Sequence, residues 1–164
     1  MALFQGKDCL ILHTRDKWEI PNDLRPERPK VSLDAAVEIM RQRFPNNRFR
    51  SISNTYNCVG MVMCSRRVWA YPEDLAKILK DDGYEKLSGP EQTDYGDVVI
   101  YRDEDGEPTH VGIVIKKNLL VDGAEDPLTI LSKWGGDGEY IHESRQVPPE
   151  YGQLVECWTD RRRP

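Results

Sequence analysis

Apolar residues along this chain follow one spacing in its first half and another in its second. Leu33, Ala36, Val37, Met40 and Phe44 recur at helical intervals behind Ser32, a residue suited to capping, and Pro45-Asn46-Asn47 stops the helix they predict. A second helix is expected to begin close to Cys58, because Asn57 can cap it and Cys58, Met61 and Val62 would share one face. A third opens at Pro72, buries Leu75, Ile78 and Leu79, and ends at Gly83. Beyond Gly89-Pro90 the residues turn β-branched, in Asp97 to Tyr101 and again in His110 to Ile115. The polar stretch Arg102 to Pro108 between them predicts an antiparallel hairpin. Leu128 to Lys133, Tyr140 to His142 and Gln153 to Thr159 are further strand candidates, as is Cys9 to His13 near the start, and Pro21 to Lys30 reads as a surface loop. Helices followed by strands predict an α+β domain with N-terminal helices packed on an antiparallel β-sheet.

Composition narrows this without changing it. A chain of 164 residues with 38% apolar content suits one domain, taken as residues 1–160, with the basic Arg161-Arg162-Arg163-Pro164 as a disordered tail. A net charge of -5 argues against a dedicated nucleic-acid binder. The charge is unevenly spread: residues 1–70 hold 12 Lys or Arg against 7 Asp or Glu, and residues 71–164 hold 11 against 21. Solvated faces of opposite sign follow from that split. With no basic-then-apolar leader in Met1 to Asp8 and no apolar run of the roughly 18 residues a span needs, the expectation is a cytoplasmic protein without a membrane role. Cys9, Cys58, Cys64 and Cys157 show neither a disulfide-framework spacing nor a metal-binding pair, so no metal and no cofactor is expected.

Candidate chemistry lies in three segments. In Tyr56-Asn57-Cys58-Val59-Gly60 a cysteine sits at a predicted helix start, where unpaired N–H groups favour a thiolate and can hold an oxyanion. His110, on a strand, is the distant histidine that a thiolate–imidazole pair requires. His13 and His142 lack a comparable setting. Ser132-Lys133-Trp134-Gly135 closes the strand after that of His110; Ser132 can accept a hydrogen bond from the imidazole, and Trp134 can shield it. Asn54 is a candidate side-chain donor to the oxyanion, and Tyr56 and Asn57 line the approach.

Tyr56-Asn57-Cys58-Val59-Gly60-Met61-Val62, Gly96-Asp97-Val98-Val99-Ile100-Tyr101 and His110-Val111-Gly112-Ile113-Val114 together resemble, in the same order, the three motifs of NlpC-type cell-wall peptidases, a plan shared by the CHAP amidases. Ser132-Lys133-Trp134-Gly135 is similar to the Asn-Ser-Trp-Gly segment of papain-like proteases. The resemblance spans residues 54–142 and implies a papain-like fold, Cys58 as nucleophile and His110 as base. Departures are Asn57 for the usual Asp, Val59 for Ser, and Ser132 for the papain Asn. Asp122 stands where NlpC-type enzymes often place their third polar residue and is the rival orienting group. It lies in the turn-like Asp122-Gly123-Ala124-Glu125-Asp126-Pro127, whereas the residues opposite His110 should come from the far end of the returning strand, which favours Ser132.

The expected activity is hydrolysis of an amide or peptide bond through a thioester acyl-enzyme, with a peptide or protein substrate, peptidoglycan peptides among them. Two alternatives stand beside it: an idle domain that only binds a partner, and acyl transfer to an amine.

Overall fold

A computed structural model describes residues 8–117 and 128–161. Its centre is a seven-stranded sheet, and the helices are short. In chain order the elements are β1 (Asn22–Asp23), α1 (Lys30–Arg43), β2 (Arg48–Ile52), α2 (Cys58–Met63), β3 (Trp69–Ala70), α3 (Leu75–Asp81), β4 (Glu85–Lys86), β5 (Val98–Arg102), β6 (Pro108–Lys117), β7 (Leu128–Lys133), β8 (Gly138–Glu143) and β9 (Gln153–Thr159). The large sheet runs β2-β8-β7-β6-β5-β9-β4 with every pair antiparallel, and β1 pairs with β3 apart from it. Its outer strands are poor templates, since β4 is two charged residues long and β2 carries Arg48 and Arg50.

Alternation along the strands separates two faces. Val98, Ile100 and Val111 pack with Cys58 and Val59 of α2 and with Leu75, Ile78 and Leu79 of α3. On the same face Leu131 and the partly buried Ile113 and Ile141 meet Tyr56 and Met61. The opposite face carries Val99, Tyr101, Ile130 and Cys157, covered by Leu87, Val147 and Tyr151 from loops and turns.

This architecture corrects the α+β expectation. A layer of N-terminal helices on a sheet, and the papain-like fold with it, is replaced by a mostly antiparallel β domain with three short helices of 14, 6 and 7 residues. The apolar stripe of α1 is thin: only Leu33 and Val37 are buried, and the helix starts at Lys30 behind Pro29 with no side-chain cap, rather than at Ser32. The run Cys9 to His13 forms only an isolated bridge, His13 to Glu19. Arg48 to Ile52 becomes a strand against β8 although three of its five residues are exposed. The hairpin β5–β6, the strand β7 and the start of α2 at Cys58 form as the pattern predicts. Arg161, the first residue of the expected loose tail, donates to both oxygens of Asp97, while 162–164 lie outside the described residues. Among the described residues no helix is long and apolar enough to cross a membrane.

Candidate functional site

Local chemistry fixes α2 at its first residue. The Asn57 side-chain oxygen accepts from the N–H groups of Gly60 and Ala70, while its amide donates to the carbonyl of Ala70. Asn57 is thus a cap and a tie to β3, with its polar atoms spent on backbone. Gly60 lets α2 lie directly on the chain at Val68, since a Cβ there would collide with the Val68 carbonyl oxygen. Cys58 is consequently held at the start of the helix with 6% of its surface exposed.

Backbone N–H groups of Val111, Val59 and Cys58 itself favour the thiolate. Val111 of β6, one residue beyond the Gly112–Ser132 pair that ends the β6–β7 ladder, packs in the same apolar cluster as Cys58. Burial pushes the thiol pKa up, against the opposing pull of the three N–H groups and of the Lys133 charge.

His110 and Lys133 lie on opposite faces of the sheet. His110 pairs with Tyr101, whose side chain belongs to the loop-covered face, and its ring stacks on Tyr151 with centroids 4.0 Å apart. It is wholly buried, and among the described residues neither ring nitrogen has a hydrogen-bond partner. Burial, with a smaller contribution from His142, holds its pKa well below 6.5, so the imidazole is neutral. A thiol–imidazole hydrogen bond is not formed in this conformation. Tyr151 stacks on His110, and burial, with a smaller contribution from Cys58, pushes its phenol pKa up. Its turn, Pro149–Tyr151, ends at Gly152 with φ 73°, where a side chain would run into the Arg102 carbonyl.

The other expected site residues are placed elsewhere. Ser132 does not orient His110: its hydroxyl is 2.8 Å from Nε2 of His142 and accepts from Nε1 of Trp134 at 3.1 Å. Trp134 accordingly shields the Ser132–His142 contact, edge-on to Phe44 and stacked on Tyr140. The Asn54 side chain accepts from the Arg28 N–H and donates to the Pro26 carbonyl. Tyr56 donates its hydroxyl to Glu139 at 2.7 Å, which together with burial pushes its pKa up to about 12. Asp122 lies outside the described residues. Among the described residues no cluster of metal-ligating side chains forms.

Two participants escaped the sequence reading. Lys133 was passed over between Ser132 and Trp134, yet alternation from Leu131 turns it to the α2 face. Tyr151 sits in a Pro-Pro-Glu-Tyr-Gly turn that carries no periodic signal.

The domain is an antiparallel sheet with Cys58 at the start of the α2 packed on it and the buried His110 and Lys133 on its opposite faces. The chain belongs to a domain family of unknown function, DUF7689, whose model matches residues 49–159. That range encloses Cys58, His110, Lys133 and Tyr151 and leaves α1 outside. No curated protein and no solved structure matches the chain.

Proposed function

We propose that this domain cleaves an amide bond through a thioester formed on Cys58, with His110 carrying the proton. The observation that supports it most is the setting of the two groups: a thiol at the capped start of α2, packed with Val111, and next to Val111 in the chain a wholly buried imidazole with no hydrogen-bond partner on either nitrogen among the described residues. Buried polar nitrogens without partners are costly and uncommon, which makes a reserved role for this ring the economical explanation. In the forward step the S–H proton passes to His110 and the sulfur attacks the carbonyl carbon, while the N–H groups of Cys58 and Val59 stabilise the oxyanion. His110 then returns the proton to the leaving amine, and water, deprotonated by the same ring, releases the acid. The substrate in this reading is a peptide or protein amide, peptidoglycan peptides included. Four free thiols fit a reducing compartment such as the cytoplasm.

Incubation with p-nitrophenyl acetate tests this directly. Mass spectrometry should find one acetyl group on Cys58, absent in Cys58→Ala, with its release slowed about a hundredfold in His110→Asn. A folded wild-type protein that leaves Cys58 unacetylated overturns the reading in favour of a binding domain. The enclosure of Cys58 and His110 favours acyl transfer to an amine as the second reading, and adding an amine to the same reaction distinguishes it by product.

A further inference from the structure

Leu24 to Pro29, between β1 and α1, forms no regular secondary structure, yet it is fastened to the domain as a bound peptide would be. Asn22–Asp23 ahead of it adds a short antiparallel strand to β3, with Asn22 opposite Ala70 and Asp23 opposite Trp69. The Arg25 guanidinium then lies over the Trp69 ring, 3.5 Å from its centre. Beyond it Asn54 reads the backbone: its side-chain amide donates to the Pro26 carbonyl at 2.9 Å, and its side-chain oxygen accepts from the Arg28 N–H. The Glu27 carboxylate accepts from the Asn54 N–H at 2.9 Å and from the Ser53 hydroxyl at 2.6 Å. Arg28 ends the run, donating to the Gly136 carbonyl at 2.7 Å and to Asp137 at 2.9 Å. Strand addition, with main-chain contacts for affinity and side-chain contacts for selectivity, is a general mode of recognising an extended peptide.

The receiving surface holds together through contacts of its own. Trp69 Nε1 donates to the Asn54 carbonyl at 2.7 Å, and the Ser53 N–H donates to the Asp137 carbonyl at 3.3 Å. Gly136 packs under both rims, since a Cβ there would meet Trp69 at 3.4 Å and Asn54 at 3.6 Å. These residues all fall within the 49–159 matched by the family model, whereas residues 22–29 precede it. The segment is a loose occupant. Leu24, Arg25, Pro26, Glu27 and Pro29 are exposed, and Arg28 Nε is buried with no partner among the described residues. Hydrogen bonds at a surface contribute about 1 kcal/mol each once water competes for the same groups, so such an occupant is exchangeable.

We propose that Ser53, Asn54, Trp69, Gly136 and Asp137 form a peptide-binding groove, filled by residues 22–29 of the same chain. Its ligand is an extended segment of another polypeptide with two arginines three residues apart, the first laid on Trp69 and the second on Asp137, and a carboxylate side chain between them. A proline after the first arginine suits the groove, because it biases the residue before it to extended backbone. The proposal goes beyond the hydrolase reading and stands whether or not Cys58 reacts. The groove adjoins the start of α2 all the same: Ala70, opposite Asn22, is the residue whose N–H and carbonyl are held by Asn57.

Fluorescence anisotropy on the full chain, with a labelled octapeptide copying residues 22–29, tests this. Arg25→Ala, Glu27→Ala and Arg28→Ala together strip the segment of its side-chain contacts and leave the groove residues intact. That triple variant should bind the octapeptide at least about tenfold more tightly than wild type, whose own segment competes at high effective concentration. Adding Asn54→Ala to it, or exchanging both arginines of the peptide for alanine, should weaken binding by about tenfold or more. Arg28→Ala alone repeats the comparison if the triple variant does not fold. Equal affinity in wild type and the loosened variant, or binding that survives loss of both peptide arginines, overturns the proposal and leaves residues 22–29 a fixed part of the fold. Acetylation of Cys58 is read separately and moves with neither outcome.

Discussion

The imidazole of His110 is enclosed by aromatic rings, stacked on Tyr151 at 4.0 Å and tilted against Tyr101 at 5.4 Å. Charging it in that setting means bringing a cation into a space where, among the described residues, nothing accepts from its N–H groups, which is why it is neutral at ordinary pH. The ring is thereby ready to accept a proton, and Tyr151 sets how dry its surroundings are. Replacing Tyr151 with Ala removes the stacked ring and admits water. The His110 ring resonances should then titrate near the ordinary 6.5, whereas in wild type they should titrate well below it. NMR of the histidine ring protons across pH 5 to 8 checks this, and a Tyr151→Ala ring that titrates as low as wild type would show that enclosure by Tyr151 does not set the protonation state.

Helix α2 is six residues long, too short to persist alone, and it stays formed because its neighbours hold it. Asn57 closes its first turn, and Gly60 brings its backbone against Val68. Gly60→Ala would drive a methyl group into that carbonyl and push α2 off the sheet, a loss of about 2 kcal/mol by overpacking. Urea denaturation should show a lower midpoint at unchanged slope; an unaltered midpoint would mean the helix has slack that the packing does not suggest. At this scale the sequence was legible in part. The β5–β6 hairpin, β7 and the start of α2 announce themselves by β-branched runs and by Asn57-Cys58. The helical layer did not form because α1 has too few apolar residues on one side to cover a sheet, and β2 was invisible because Arg48-Phe49-Arg50-Ser51-Ile52 is an exposed strand with no apolar face to read. At the site, Cys58 and His110 were legible by residue type, but Ser132 and Lys133 differ only in which face of β7 they occupy. That assignment depends on where the ladder with β6 begins, a tertiary fact.

For the whole molecule, Glu139 is the largest electrostatic commitment. Its wholly buried carboxylate joins β8 to β2 through Arg50, to the segment after α2 through Arg66, and to the entry of α2 through Tyr56. Hydrogen bonds from Arg66, Tyr56 and Arg50 outweigh burial and hold its pKa below the usual 4.5. An acid whose folded pKa is depressed stabilises the fold above its unfolded pKa, and that stability is lost as pH falls through the folded value. His110 acts in the same direction at higher pH: unfolding lets it protonate, so stability begins to fall below about 6.5. Melting temperature should therefore decline in two stages on acidification. Glu139→Gln should lower it at neutral pH, by about 3 kcal/mol in stability since the two guanidinia reach solvent, and should flatten the stage below pH 4.5 while sparing the upper one. Calorimetry from pH 3 to 8 measures both stages, and a variant retaining the full lower stage would assign it to other carboxylates.

The two outer strands bear on how copies of this domain behave together. Unpaired backbone on a sheet margin is an invitation to any passing extended chain. Here one margin is only Glu85–Lys86, too short to hold a visitor, and the other presents Arg48 and Arg50 from β2 to any chain that tries to align with it. Arg50 is also fastened to Glu139, so the charge that guards this margin is held in place by the same carboxylate that ties the strand to the core. Resistance to self-assembly and internal cohesion thus share one side chain, and a change that loosens Arg50 weakens both together.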